Sequence, residues 1–329
     1  MGVPGRDAIP SWLSGDLYEL GQRDEGAMTL NSDGVTIHTN GIAIIEFLGP
    51  EEYKAGASIF QSYVRPTWTD CPNQFHFYAP TKDKLFEALD VVARAVKEQG
   101  FKPLVHIESH GSETGLSPTR RGSSGVTWGE IKPIFQEINL HAEFNTVLMV
   151  SACNGAHFVS ALDPTDAAPF WGILGPIGTA RAEHLLEDFG GFYRSFLLDY
   201  NFLKAYQVLN AHRDGEDRNY HFYTADYFFT LLWAAYIQTE GSRTALEKRV
   251  ARVMSKAPSV SGAGKRAYGR MRQKLLLQLG DHRAYFEKFK RSFFMEEHLP
   301  GMADRFGVTY EQVLDRLTRM SPQKMPARQ

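Results

Sequence analysis

The sequence predicts an α/β fold: a mostly parallel sheet with helices on both faces, followed by a helical C-terminal extension. Three observations lead there. From residue 75 short apolar runs alternate with stretches of helical spacing, the connections between them are short, and beyond residue 240 every apolar pattern has the helical period. Strand, helix and strand in close succession imply a parallel sheet, because the crossover returns the chain to the end where it began.

Taken in order, residues 1–74 read as an N-terminal β-rich segment joined to the domain that follows. Gly34-Val-Thr-Ile-His-Thr-Asn-Gly41 and Ile42-Ala-Ile-Ile-Glu-Phe47 meet at Asn40-Gly41, a hairpin signal. Phe75-His-Phe-Tyr78 is a strand. Leu85, Leu89, Val92 and Val96 share one helical face, and Gly100 suits the left-handed residue that closes a helix. Leu104-Val-His-Ile-Glu-Ser109 is the next strand. Thr127 and Glu130 have capping-box spacing for a helix bearing Ile131, Ile134, Phe135 and Ile138. Pro133 lies well inside that helix and predicts a late start or a kink. Val147-Leu-Met-Val-Ser151 is a buried strand and Trp171-Gly-Ile-Leu174 another, before a helix with Leu185, Phe189, Tyr193 and Phe196. This domain spans 75–238, with a boundary at Gln238-Thr-Glu-Gly-Ser242. The extension, 239–329, carries helical stretches at Leu246, Val250 and Val253, at Leu275 to Leu279, and at Tyr285, Phe286, Phe289 and Phe293.

Composition narrows the function classes. The 329 residues are 43% apolar and 22% charged, with 29 Gly and 16 Pro, which excludes fibrous and low-complexity chains. A formal charge of −2 hides an asymmetry: residues 1–238 carry 17 Lys/Arg against 29 Asp/Glu, and residues 239–329 carry 19 against 9. A basic part beside an acidic one suits mutual docking, or a surface for a partner or nucleic acid. The two cysteines, Cys71 and Cys153, are too few for a disulfide scaffold. The N-terminus shows no secretory pattern. The longest apolar run, Tyr227 to Ile237, is far shorter than the ~20 residues a membrane span needs. These features predict a cytoplasmic protein with free thiols and no membrane contact.

In open parallel sheets ligands sit at the carboxyl ends of the strands. One strand here runs into His110-Gly111 and another into Cys153-Asn-Gly155. An imidazole beside a thiol takes its proton and returns it to a leaving amine. Backbone N–H groups at Gly111 and Cys153 suit a developing oxyanion. The same residues equally suit an inert buried thiol and a hydrogen-bonded rim histidine, and spacing alone leaves these readings open.

Ser151-Ala-Cys-Asn-Gly155, with His110-Gly111 43 residues before the cysteine, resembles the caspase signature. Val105-His-Ile-Glu-Ser-His-Gly111 and Val147-Leu-Met-Val-Ser-Ala-Cys-Asn-Gly155 look closer to the bacterial CHAT group of caspase-like (clan CD) cysteine peptidases. Trp171-Gly-Ile-Leu-Gly-Pro-Ile-Gly-Thr179 and Gly191-Phe-Tyr-Arg-Ser-Phe196 resemble the strand and helix that follow in that group, so the likeness covers roughly 75–212. It implies a caspase-like sheet and a cysteine endopeptidase acting on a protein or peptide. His110 would be general base and acid, Cys153 the nucleophile, and the Gly111 and Cys153 N–H groups the oxyanion donors. It also implies regulated proteolysis or anti-phage defence, with an activating or inhibitory protein partner. Ser151 departs from the caspase glutamine that lines the pocket for an acidic side chain, so aspartate specificity is not expected. Asp163 and Asp166, in the loop after the nucleophile, are candidates for facing a basic side chain, and Arg120-Arg121 for a processing site.

No metal or cofactor is expected. His106 and His110 stand about 13 Å apart on a regular strand, too far to share an ion. Gly262-Ala-Gly-Lys265 is too short for a phosphate loop. Ala303-Asp-Arg-Phe-Gly-Val-Thr-Tyr-Glu-Gln-Val313 resembles a helix-turn-helix, which would turn Arg316 and Arg319 toward DNA phosphates. The competing reading is a helical brace for the domain before it. As a brake on an always-on peptidase, the extension would restrain activity, and its removal would release it.

Overall fold

Seven consecutive buried residues make strand β1 (Gly41–Phe47), as expected of a strand covered on both faces. The computed structural model describes residues 38–69, 71, 73–120, 124–199, 201–211, 220–256 and 265–320. β1 pairs in parallel with β2 (Asn73–Tyr78), from Gly41 opposite Asn73 to Glu46 opposite Tyr78. On its other side it pairs in parallel with β3 (Pro103–Ser112), from Gly41 opposite Pro103 to Phe47 opposite Ser109. Both ladder edges of β1 are therefore filled, and the hairpin expected at Asn40-Gly41 has no place in the sheet. Gly41 instead opens β1 at a close approach: a Cβ there would stand 2.2 Å from the Asn73 carbonyl oxygen. Residues 34–37 lie outside the described residues.

Beyond β3 come β4 (Gly115–Ser117), β5 (Val126–Thr127), β6 (Val147–Ser151), β7 (Gly172–Pro176) and β8 (Tyr220–Thr224). The main order is β2-β1-β3-β6-β7-β8, parallel except for β8, which runs antiparallel to β7. β4 and β5 extend an antiparallel ribbon from the far end of β3, where His110 faces Ser117 and Gly111 faces Leu116. The fold is thus α/β with a mostly parallel, mixed sheet.

Helices cover the sheet. α1 (Gly56–Ile59) continues through a wider turn at Phe60–Val64 into α2 (Arg65–Thr67). α3 (Lys82–Gln99), α4 (Trp128–His141), α5 (Ala182–Asp199) and α6 (Phe202–Ala211) follow. α1 and α5 lie over the face carrying Glu46, His106 and Glu108, while α3 and α4 pack on each other. Local chemistry set several ends as the sequence implied. Gly100 closes α3 with φ +65°, and Thr127 and Glu130 form the reciprocal capping box of α4. The box fixes the start of α4 at Trp128, so Pro133 is carried inside the helix, lacking only the N–H that would have met Gly129.

The chain divides into two compact units, one reaching Leu162 and including Ala167–Ala225, the other comprising Asp163–Asp166 and everything from Asp226. The break falls at α7 (Ala225–Glu240) rather than at 238–242. The helical unit adds α8 (Arg243–Ser255), α9 (Lys265–Gly280), α10 (His282–Phe293), α11 (Met302–Arg305) and α12 (Tyr310–Met320). Aromatic packing explains where it starts. Phe229 of α7 meets Phe286, Phe293 and Phe294, and Trp233 meets Phe286 and Phe289, at ring separations of 5.1–5.9 Å. α8 and α9 form a smaller cluster of Val250 and Met254 with Leu275, Leu276 and Leu279. Among the described residues no helix is long and apolar enough to cross a membrane.

This packing yields an expected result. Truncation after Gln238 strips the fully buried Phe229 and Trp233 of their partners, exposing two large rings worth about 3–5 kcal/mol each in a core. The product is expected to aggregate on expression. A soluble, folded 1–238 fragment in size-exclusion chromatography would contradict it and restore the reading of residues 239–329 as a removable brake.

Candidate active site

β3 and β6 place the two reactive groups. They are parallel neighbours from Leu104 opposite Val147 to Glu108 opposite Ser151. Side chains alternate along strands, so Glu108, His110, Ser151 and Cys153 carry one parity, and His110 and Cys153 lie two residues past the last pair. Neighbouring strands run about 4.8 Å apart. The backbones stay close beyond the ladder: a Cβ on Gly111 would stand 2.0 Å from the Cys153 carbonyl oxygen and 3.0 Å from Ala152 Cβ. Only glycine permits that approach. His110, Gly111 and Cys153, singled out from the sequence, are thus brought together at the carboxyl ends of adjacent strands.

The turn after the thiol is tight. Asn154 takes the left-handed conformation, φ +56°, which asparagine tolerates better than most residues. Its N–H donates to Gly178 O at 2.8 Å, and a Cβ on Gly155 would stand 2.7 Å from Val150 O. The Cys153 thiol, partly exposed and free, accepts from the Ala180 N–H at 3.4 Å and lies 3.7 Å from Ala180 O. Among the described residues the Cys153 N–H has no backbone acceptor outside regular structure. His110 is about a third exposed, and Glu52 Oε2 stands 2.9 Å from its Nε2. That oxygen lies off the line of a straight ring N–H bond, which makes it a charge contact. His110 is also the largest influence holding the Glu52 carboxyl below its usual range, with the Arg120 backbone N–H adding to it.

Below this edge lies a buried polar layer. His106 sits between Tyr193 OH, 3.0 Å from Nδ1, and Ser151 Oγ, 2.8 Å from Nε2. Full burial drives its pKa down to about 3, so it stays neutral. Glu108 accepts the Ala55 N–H at 2.9 Å and the Gly56 N–H at 2.7 Å, while Glu46 accepts that of Ala57 at 2.7 Å. Burial lifts Glu108 to about 7 against the pull of its two N–H bonds, with Glu46 adding to the rise.

These shifts have opposite signs for stability. His106, lowered, contributes stability that is whole above pH 6.5 and lost as pH falls toward 3. Glu108, raised, contributes stability that is whole below pH 4.5 and lost as pH climbs through 7. Between 4.5 and 6.5 the slopes oppose, so the pair contributes little pH dependence there. Glu108→Gln removes one slope. Its unfolding free energy is expected to climb by about 2–3 kcal/mol between those two pH values, read from urea midpoints, and a flat profile in the variant would refute the assignment.

Other sequence candidates fall elsewhere. Ser151 is 1% exposed and its hydroxyl is taken by His106, so it faces the covered layer and not a substrate. The segment Asp163–Asp166 groups with the helical unit, and the Asp163 carboxylate is occupied by the Thr165 N–H and hydroxyl, a turn-forming role. Arg316 donates to Tyr227 OH at 2.9 Å and lies over that ring at 5.3 Å, which commits it to packing within its own unit rather than to a phosphate. α11 is a single turn, too short for the first helix of a DNA reader, although Ala303 and Val313 are buried about Gly307 (φ +60°) as a tight helical corner requires. Arg319 lies on α12, and its side chain is outside the described residues. Cys71 is buried, its thiol 3.1 Å from Asn40 O and raised in pKa by burial, away from the Cys153 turn. The residue that sequence reasoning missed is Glu52. It lies in the loop after β1, and only the parallel register of β1 on β3 hints that this loop meets His110.

No family model and no curated protein matches this chain.

Proposed function

We propose that the chain is a caspase-like cysteine endopeptidase of the CHAT type. The observation that carries this reading is the pairing of His110 and Cys153 at the carboxyl ends of adjacent parallel strands, with Gly111 lying against the Cys153 backbone. In this mechanism the imidazole takes the thiol proton and sulfur attacks the peptide carbonyl carbon. The oxyanion so formed faces the N–H groups of Gly111 and Cys153. His110 then gives its proton to the departing amine, leaving a thioester. Water, its proton taken by His110, releases the acid and restores the thiol. The Ala180 N–H donates to the sulfur at 3.4 Å and helps fix its place in the turn.

The substrate in this reading is a protein or peptide, the compartment the cytoplasm, and the setting regulated proteolysis or defence, with a protein partner as regulator. A peptide-library cleavage profile of the full chain tests the activity. Sequence-selective cleavage supports it. Electrophile labelling of Cys153 that is indifferent to His110→Ala marks an ordinary exposed thiol and sinks it.

A further inference from the structure

Resting on the Cys153–His110 reading, the structure assigns Glu52 as the positioning residue of that pair: its carboxylate holds the imidazole at Nε2 and leaves Nδ1 for the thiol. The 2.9 Å contact is one observation. A second is that the loop bearing Glu52 is fastened at both ends. Ahead of it, the Gly49 N–H donates to Pro118 O at 2.7 Å, tying the loop to the segment after β4. Behind it, the Ala55 and Gly56 N–H groups are held by Glu108, two residues before His110 on the same strand. Within it, Lys54 Nζ donates to Pro50 O and Glu52 O, each at 2.9 Å. The strand that carries the imidazole therefore also anchors the loop that presents the carboxylate. A third observation is spatial room. Gly56 fits between Glu46 Cγ, 2.9 Å from where its Cβ would be, and Glu108 Oε2, at 3.1 Å, so the anchor admits no larger residue without movement.

The chemistry follows from tautomers. A neutral imidazole has one N–H and one lone pair. A negative charge 2.9 Å from Nε2 favours the tautomer with its proton there, so the lone pair of Nδ1 is free to accept the thiol proton. Once both nitrogens are protonated, the same carboxylate stabilises the cation beside the thiolate. The charged groups about His110 are Glu52, with the Arg120 N–H and charge acting on that carboxylate, and the thiolate. Glu108, two residues along β3, is turned to Ala55 and Gly56.

The test is the rate of Cys153 alkylation by iodoacetamide against pH, in the full-length chain carrying Cys71→Ser so that one thiol reports. An imidazole-paired thiolate reacts on an acid limb well below the ordinary thiol pKa of about 8.5. Glu52→Gln is expected to slow alkylation about tenfold near pH ~5.5 and leave it unchanged near pH ~9.5, where the thiol ionises unaided. Glu52→Asp should recover part of the acid limb. A merely structural role would slow both limbs together. A Glu52→Gln profile that superimposes on the parent, while His110→Ala abolishes the acid limb, overturns the assignment and leaves the pair standing. A His110→Ala profile matching the parent overturns the pair itself. Should Glu52→Gln fail to fold, ring-nitrogen NMR of the unsubstituted chain decides. The proton of neutral His110 is expected on Nε2, and finding it on Nδ1 alone overturns the proposal.

Discussion

Cys153→Ala and His110→Ala are each expected to lower peptide hydrolysis by about ten-thousand-fold while leaving the thermal midpoint within a few degrees of the parent. In the proposed mechanism nucleophile and base act as a unit, so either deletion would remove the covalent route entirely. Stability should barely change. The thiol is hydrogen-bonded to the Ala180 backbone, and the imidazole is partly exposed beside Glu52. Surface pairs of that kind contribute about 0–1 kcal/mol. The double variant should be no worse than either single one, the mark of groups working together. Cys71→Ser is the control. A serine hydroxyl can still donate to Asn40 O, and the position is remote from the turn that bears Cys153. Turnover that survives in either single variant, or vanishes in Cys71→Ser with normal stability, would refute the mechanism.

Gly111→Ala should be strongly damaging for the addition of a single methyl. Its Cβ would overlap the Cys153 carbonyl oxygen at 2.0 Å, and the β3 side is not free to yield. β3 is paired with β4 on either side of this residue, His110 with Ser117 and Ser112 with Gly115, and Cys153 is followed at once by the Asn154 turn, tied to Gly178. Relief requires the two strand ends to part, which costs about 3 kcal/mol or more and separates thiol from imidazole. Urea denaturation and the alkylation profile should both change. Gly269→Ala is the informative contrast. It lies inside α9 with nothing within 4 Å of its would-be Cβ. That substitution should stabilise by up to about 1 kcal/mol through helix propensity alone. Equal effects of the two would mean that the close approach at Gly111 is absent in solution.

What the sequence disclosed was local. Thr127 with Glu130 and the glycine at 100 act within a turn of their own helices, and both behave as their chemistry dictates. The runs ending at His110 and Cys153 are short, buried and β-branched, so periodicity found them. Non-local choices were hidden. Asn40-Gly41 carries a hairpin signature, yet β1 takes parallel partners on both edges, a decision made by residues more than thirty positions away. Tyr227 to Ile237 is apolar enough for either unit, and its assignment waits on Phe286 and Phe293, which meet it from α10. The place of Ser151 was hidden because its position two before the thiol says nothing of His106, which claims its hydroxyl from the neighbouring strand. Glu52 is one acid among 38 in the chain, and no spacing rule separates it from its neighbour Glu51.

β3 serves two ladders in succession. Up to Ser109 it is hydrogen-bonded into the parallel sheet, and from His110 to Ser112 into the antiparallel ribbon. The imidazole hangs at the handover, its main chain braced from both directions, whereas Cys153 sits in a turn past the end of β6. Conformational entropy is therefore distributed unevenly between the two partners. The histidine has surrendered its backbone freedom during folding and loses little more when a ligand arrives, while the cysteine retains some to lose. Any adjustment that brings the two groups into register must come from the thiol's side, with the strand of His110 as the fixed reference.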